Sequence, residues 1–155
     1  MSHKYSQCYM HLVFAVKHRK SKVEKEWKTE LANYLIAVIQ AKGHKVLAIN
    51  CMPEHTHIFI IQNMTQTIPD LMKLIKTTSH YWLNKQKHPK QKFVWQVGYG
   101  VFSFSRSHIG NVIRYINNQE EHHKKVTFRE EFLKILKDHG IEYDPRYLGE
   151  ILPED

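Results

Sequence analysis

Cys51–Ile61 reads CMPEHTHIFII, and the fold turns on these eleven residues. Ile58, Phe59, Ile60 and Ile61 form a β-branched and aromatic run, the composition of a buried strand. Pro53 has no backbone N–H, so it belongs to a turn or a strand start. His55 and His57 therefore fall at the opening of a central strand. Residues two apart on a strand point to one face, and two imidazoles on one face can hold a divalent metal ion. The plainer alternative is a pair of polar residues at a strand mouth. Glu54, beside His55, reads as a turn carboxylate facing water, with a role at the metal as its alternative.

Working outward, Lys45–Asn50 reads as the antiparallel hairpin partner of that strand, joined through Met52-Pro53-Glu54. Ser6–Val16, SQCYMHLVFAV, reads as a first strand. Both of its faces are mostly apolar, which suits a strand in a sheet covered on two sides. His11 there reads as a hydrogen-bonded sheet histidine; approach to the metal from the neighbouring strand is the other option. Val23–Lys42 carries Trp27, Leu31, Tyr34, Leu35, Val38 and Ile39 at helical spacing and stops at Gly43. A second helix opens at Thr67, with Pro69 and Asp70 in its first turn. Its expected stripe is Leu71, Leu74, Ile75, Thr78, Tyr81 and Trp82.

Phe93–Phe104 reads as the last strand, with a bulge or close backbone approach at Gly98 and Gly100. Its aromatics are expected mainly in the core, with one or two left to touch a ligand. A helix capped by Ser105 or Ser107 runs to about His123, and Thr127–His139 forms a final one. Ile141–Asp155 reads as an irregular acidic surface tail. The first six elements give β-α-β-β-α-β, an α+β ferredoxin-like split unit in which the first and third strands are central neighbours. The added C-terminal helices carry Tyr115 and Gln119, which share a helical face. Tyr115 lies among Asn117, Asn118 and a run of Glu, His and Lys, a setting that an ordinary core tyrosine avoids.

The 155 residues suit one domain, 1–155. The formal charge is +8, from 23 Lys and Arg against 15 Asp and Glu, which favours a polyanionic partner such as nucleic acid. Lys17, Arg19 and Lys20 form one basic cluster; Lys87, Lys90 and Lys92 belong to another. Each is a candidate phosphate track or simply a solvated loop. Cys8 and Cys51 make neither a zinc spacing nor a disulfide framework, so a reducing cytoplasm is expected. No apolar run reaches membrane-spanning length, and no signal-peptide pattern opens the chain.

Four ordered motifs carry a family resemblance. They are Tyr9-x-His11-Leu12-Val13-Phe14, Met52-Pro53-Glu54-His55-Thr56-His57-Ile58-Phe59-Ile60, Trp95-Gln96-x-Gly98-Tyr99, and Tyr115-Ile116-x-Asn118-Gln119-x-x-His122-His123. Over nearly its whole length the chain resembles the single-tyrosine HUH transposases of bacterial insertion sequences, with the related transposases of repetitive extragenic palindromes. One departure is Thr56, where the family pattern has a bulky apolar residue; it bears on packing more than on metal binding.

The resemblance implies that His55, His57 and Gln119 hold Mg²⁺ or Mn²⁺. It implies that Tyr115 attacks single-stranded DNA, leaving a 5′-phosphotyrosine link and a free 3′-hydroxyl. No ATP is needed, consistent with the lack of a GxxxxGK[ST] loop. Candidates to assist the phenol are His122, His123 and the metal. The expected partners are single-stranded DNA, as hairpins at element ends, and a second copy of the chain whose Tyr115 helix serves a shared site. A site built within one chain is the alternative assembly. Other function classes are an HUH replication-initiator or relaxase-type nickase, and a noncatalytic single-strand-binding module of the same fold.

Overall fold

The computed structural model describes residues 5–86, 89 and 91–155. Its sheet has four strands: β1 (Tyr9–Ala15), β2 (Lys45–Cys51), β3 (His55–Ile61) and β4 (Gly100–Phe104). Their order is β2-β3-β1-β4, and every neighbouring pair is antiparallel. This is the expected split unit, with the His strand and the His11 strand side by side at its centre. The β2–β3 hairpin closes where Met52 N–H donates to the His55 carbonyl at 2.8 Å.

Among the described residues the α-helices are α1 (Lys28–Ala41), α2 (Ile68–Gln86), α3 (Ile109–Asn117), α4 (Gln119–His122) and α5 (Phe128–Asp138). The period-two alternation of β1 and β3 sorts their residues between two covered faces. On one, Leu12, Phe14, Ile58 and Ile60 pack with Leu31, Leu35 and Ile39 of α1 and Leu71 and Ile75 of α2. On the other, Val13, Ala15 and Phe102 meet Phe128, Phe132 and Leu136 of α5. Tyr9 and Phe59 meet Val112 and Ile116 of α3 on that same face. Burying each large apolar side chain contributes roughly 1.5–3 kcal/mol, so neither helical layer is an optional cover.

The stripe expected along α1 is present, but the helix begins at Lys28 and not at Val23; it ends just before Gly43, whose φ of 86° favours glycine. Along α2 the buried face is Leu71, Met72, Ile75, Ser79 and Leu83. Tyr81 lies off it and is exposed. Ser79 on this face is buried, and its hydroxyl accepts from Trp95 Nε1 at 2.8 Å.

The last strand is shorter than expected, beginning at Gly100 instead of Phe93. Residues 93–97 start along the sheet through a Val16–Trp95 bridge and the bond from Gln96 N–H to the Ala15 carbonyl. Lys76 then draws the carbonyls of Gln96, Val97 and Gly98 toward its ammonium at 2.8–3.1 Å. Gly98 N–H turns to the Glu150 carbonyl, which a Cβ at Gly98 would approach to 2.7 Å. The close approach expected there is the reason the ladder breaks. The same bond corrects the reading of the tail. It folds into a 3₁₀ turn at Pro145–Glu150, buries Leu148 and Leu152, and is held by Gln96 Nε2.

Candidate active site

Three pieces of backbone bring the site together. In the β1–β3 register Val13 faces His57, so His11, two residues earlier on β1, lies diagonally beside it on the same face. Asn50 Nδ2 donates to the Ile116 carbonyl at 2.9 Å and pins the end of α3 to β2. The helix expected to run to His123 breaks at Asn118, whose φ and ψ are −96° and 17°, and restarts as α4. Thr127 caps α5: its hydroxyl accepts from Glu130 N–H at 3.1 Å and donates to the Glu130 carboxylate at 3.0 Å. The first of these bonds satisfies one of the free N–H groups of the opening turn.

Around this frame the side chains converge on one carboxylate, Glu131, only 2% exposed. Its Oε1 accepts from Nε2 of His57 and of His123, each at 3.1 Å, and lies 3.4 Å from His55 Nε2. Its Oε2 accepts from Gln119 Nε2 at 3.0 Å and from the Tyr115 hydroxyl. Gln119 Oε1 lies 3.3 Å from His55 Nε2. His55 stacks on Phe128 with centroids 4.2 Å apart, and His57 meets the Tyr115 ring edge-on at 5.8 Å. The Tyr115, Gln119, His55 and His57 named from the sequence thus meet within a single chain.

His11 takes the place expected of a sheet histidine, with a specific partner: its Nε2 is 2.8 Å from His57 Nδ1. A carboxylate only accepts, so His57 carries its proton on Nε2 here and its Nδ1 accepts from His11. Burial, helped by the His57 ring, holds His11 well below the usual imidazole range. Burial also brings His55 down to about 4, so both rings are neutral at pH 7. Burial opposes charge on His123 too, but its bond to Glu131 and that group's charge raise it. Burial alone would raise the Glu131 carboxyl; hydrogen bonds from His123, His55 and His57 outweigh it and hold the group ionised. The Tyr115 phenol is pushed up, first by burial and then by the Glu131 charge.

The donor set fits a divalent cation. One ligand atom each from His55, His57, His123 and Glu131 lies within 4.8 Å of all the others, about the span of one coordination sphere. His55 Nδ1 has no hydrogen-bond partner, so nothing on that side of the ring fixes its tautomer against presenting Nε2 to an ion. Glu54 takes no part; it accepts from Arg19 Nε at 3.2 Å.

Glu131 was not among the residues singled out from the sequence, although a signal existed. It stands three residues after Phe128 and four before Ile135, on the stripe where an amphipathic helix places apolar groups. His123 was foreseen only as a possible aid to the phenol.

The basic clusters are more scattered. Lys17 is half-buried, Lys20 and Lys92 are exposed, and Arg19 is paired with Glu54 and Asp155. Lys87 and Lys90 lie outside the described residues. Beside Tyr115 opens a cleft of about 480 Å³, walled by His11, Phe104, Val112 and Ile135 among others. Phe104 is a strand aromatic that faces this cleft. Among the described residues no helix is long and apolar enough to cross a membrane.

The chain is similar to known proteins in sequence and in fold. The family model described as transposase, IS200-like, matches residues 4–119. The ISDra2 transposase TnpA of Deinococcus radiodurans is 25% identical over 116 residues, covering 72% of this chain and 83% of its own. A crystal structure of a putative transposase from Deinococcus radiodurans superposes with a TM-score of 0.61 at 24% identity, covering 77% of this chain and 95% of that one. A REP-associated tyrosine transposase bound to a REP hairpin gives 0.60 at 15% identity, covering 81% and 74%. The two structural likenesses are likenesses of fold.

Proposed function

Because this chain belongs to the IS200-like transposase family, we propose that it cleaves and rejoins single-stranded DNA at insertion-sequence ends. Tyr115 is the nucleophile, and His55, His57 and Gln119 hold a divalent cation. The observation that carries this reading is the Tyr115 hydroxyl lying beside the point where the His55, His57 and His123 ring nitrogens converge. When bound, Mg²⁺ or Mn²⁺ supplies Lewis-acid polarisation of the scissile phosphate. The nitrogen-rich donor set favours Mn²⁺, since Mg²⁺ prefers oxygen ligands.

The chain's own residues do the rest. Tyr115 Oη gives up its proton as it attacks phosphorus, the bond from phosphorus to the 3′-oxygen breaks, and that oxygen takes up a proton to leave as a 3′-hydroxyl, so the 5′-phosphate stays on tyrosine. A raised phenol beside an ionised carboxylate keeps its proton, and the nucleophile is held quiet. The cleft lined by Phe104 and Val112 offers the strand an apolar wall next to the tyrosine. Lys17, Arg19, Lys20, Lys87, Lys90 and Lys92 are the proposed phosphate contacts, and hairpins at element ends the proposed form of the DNA.

A noncatalytic binding module is disfavoured for a physical reason. Such modules stack bases on an open sheet face, whereas here α3 and α5 cover the face that bears His55 and His57. One experiment separates the readings. Single strands from element ends are incubated with the protein and Mn²⁺, and products are resolved under denaturing conditions. A covalent protein–DNA adduct that EDTA abolishes is expected. Binding with no adduct under any metal would overturn the transposase reading.

A further inference from the structure

We propose that Glu131, on α5, is the anionic protein ligand of the metal centre, coordinating through Oε1 beside His55 and His57. This rests on the reading above and departs from it at one point. The ligand set expected there is two imidazoles and the Gln119 amide, all within the segment matched to the family, residues 4–119. Glu131 lies outside that segment.

The geometry favours the carboxylate over the amide. Three Nε2 atoms, of His55, His57 and His123, close on Glu131 Oε1 within 3.4 Å, whereas Gln119 Oε1 approaches only one, that of His55. The Gln119 amide N–H donates to Glu131 Oε2, so Gln119 braces the carboxylate while it faces the site. A neutral amide oxygen is also a weaker donor to a divalent cation than an ionised carboxylate.

The surroundings of Glu131 argue for a ligand over a structural tie. An ionised side chain almost fully buried is retained only where paired or bound to a metal. No lysine or arginine lies within ion-pair distance of it among the described residues; the basic side chains around it are imidazoles. Imidazole is the one cationic partner that can instead turn a nitrogen lone pair to an ion. Loading then replaces N–H···O bonds by nitrogen and oxygen coordination with little movement. Oε2 remains free to keep the Tyr115 hydroxyl at the site, so one side chain would link cation and nucleophile.

The test is Mn²⁺ affinity, read from the electron paramagnetic resonance signal of the free ion, in wild type and in Glu131→Gln, Gln119→Ala and His57→Ala. Melting temperatures are taken with EDTA and with Mn²⁺. Glu131→Gln should lose affinity by more than tenfold, and by more than Gln119→Ala. It should lose the upward shift in melting temperature that Mn²⁺ confers on wild type, whatever its melting temperature in EDTA. Affinity equal to or tighter than wild type would overturn the proposal, making Glu131 a group that merely occupies the cation's place. Loss in His57→Ala without loss in Glu131→Gln would sink this inference alone. Retention in His57→Ala would sink the metal site itself. Should Glu131→Gln fail to fold, the Mn²⁺-minus-EDTA infrared difference spectrum of wild type decides. A shifted carboxylate stretch supports coordination, and its absence excludes it.

Discussion

At the scale of single residues the site depends on which nitrogen of each ring carries a proton. His57 can present Nε2 to a cation only if its proton resides on Nδ1, and the atom facing Nδ1 is His11 Nε2. His11 must then switch from donor to acceptor, which a neutral imidazole does by changing tautomer. It is a positioning residue for His57. His11→Ala should weaken Mn²⁺ binding roughly 10- to 100-fold, the usual cost of losing a group that orients a metal ligand. His11→Gln, which keeps both a donor and an acceptor, should recover part of that loss. If the two variants melt normally and bind Mn²⁺ as wild type does, His11 is only a buried sheet residue. The imidazole pair was partly legible beforehand, because period two put His55 and His57 on one face. The His11–His57 contact needed the register, which no local pattern states.

At the scale of elements, β1, β3 and α1 were legible because both faces of each strand, and one stripe of the helix, are uniform in character. The last strand and the helix bearing Tyr115 were misread for a common reason. Each is interrupted by contacts from distant sequence: Lys76 and Glu150 on the backbone near Gly98, and Asn50 on Ile116 at the end of α3. Glu131 escaped notice because it is one of two adjacent glutamates on a charged helix, where solvent is the default surroundings. The element that aims it is α5, and Thr127 sets where α5 begins. Thr127→Ala removes the cap at a cost of about 1 kcal/mol. For a chain this long that lowers the melting temperature by roughly 2–4 °C. An unchanged melting temperature would mean that the Thr127 bonds contribute nothing net to folding.

At the scale of the whole molecule, the resemblance led to the expectation of a homodimer exchanging its tyrosine helices. The fold offers a self-sufficient alternative, which we favour: α3 reaches the His pair of its own chain, pinned by Asn50 and closed over by α5. No second copy is needed to complete the constellation of Tyr115, Gln119, His55, His57 and Glu131. A dimer formed for other reasons, such as holding two DNA ends, is compatible with this. The measurement that bears most directly on the claim is complementation between two defective chains. Tyr115→Phe and His57→Ala chains are co-expressed so that any dimers assemble mixed, and adduct formation with Mn²⁺ and single-stranded DNA is assayed beside each variant alone. A site complete within one chain predicts no adduct in any of the three samples. Adduct restored only in the mixture would contradict it and place Tyr115 at the partner's histidines, and an undiminished adduct in Tyr115→Phe alone would move the nucleophile to another residue.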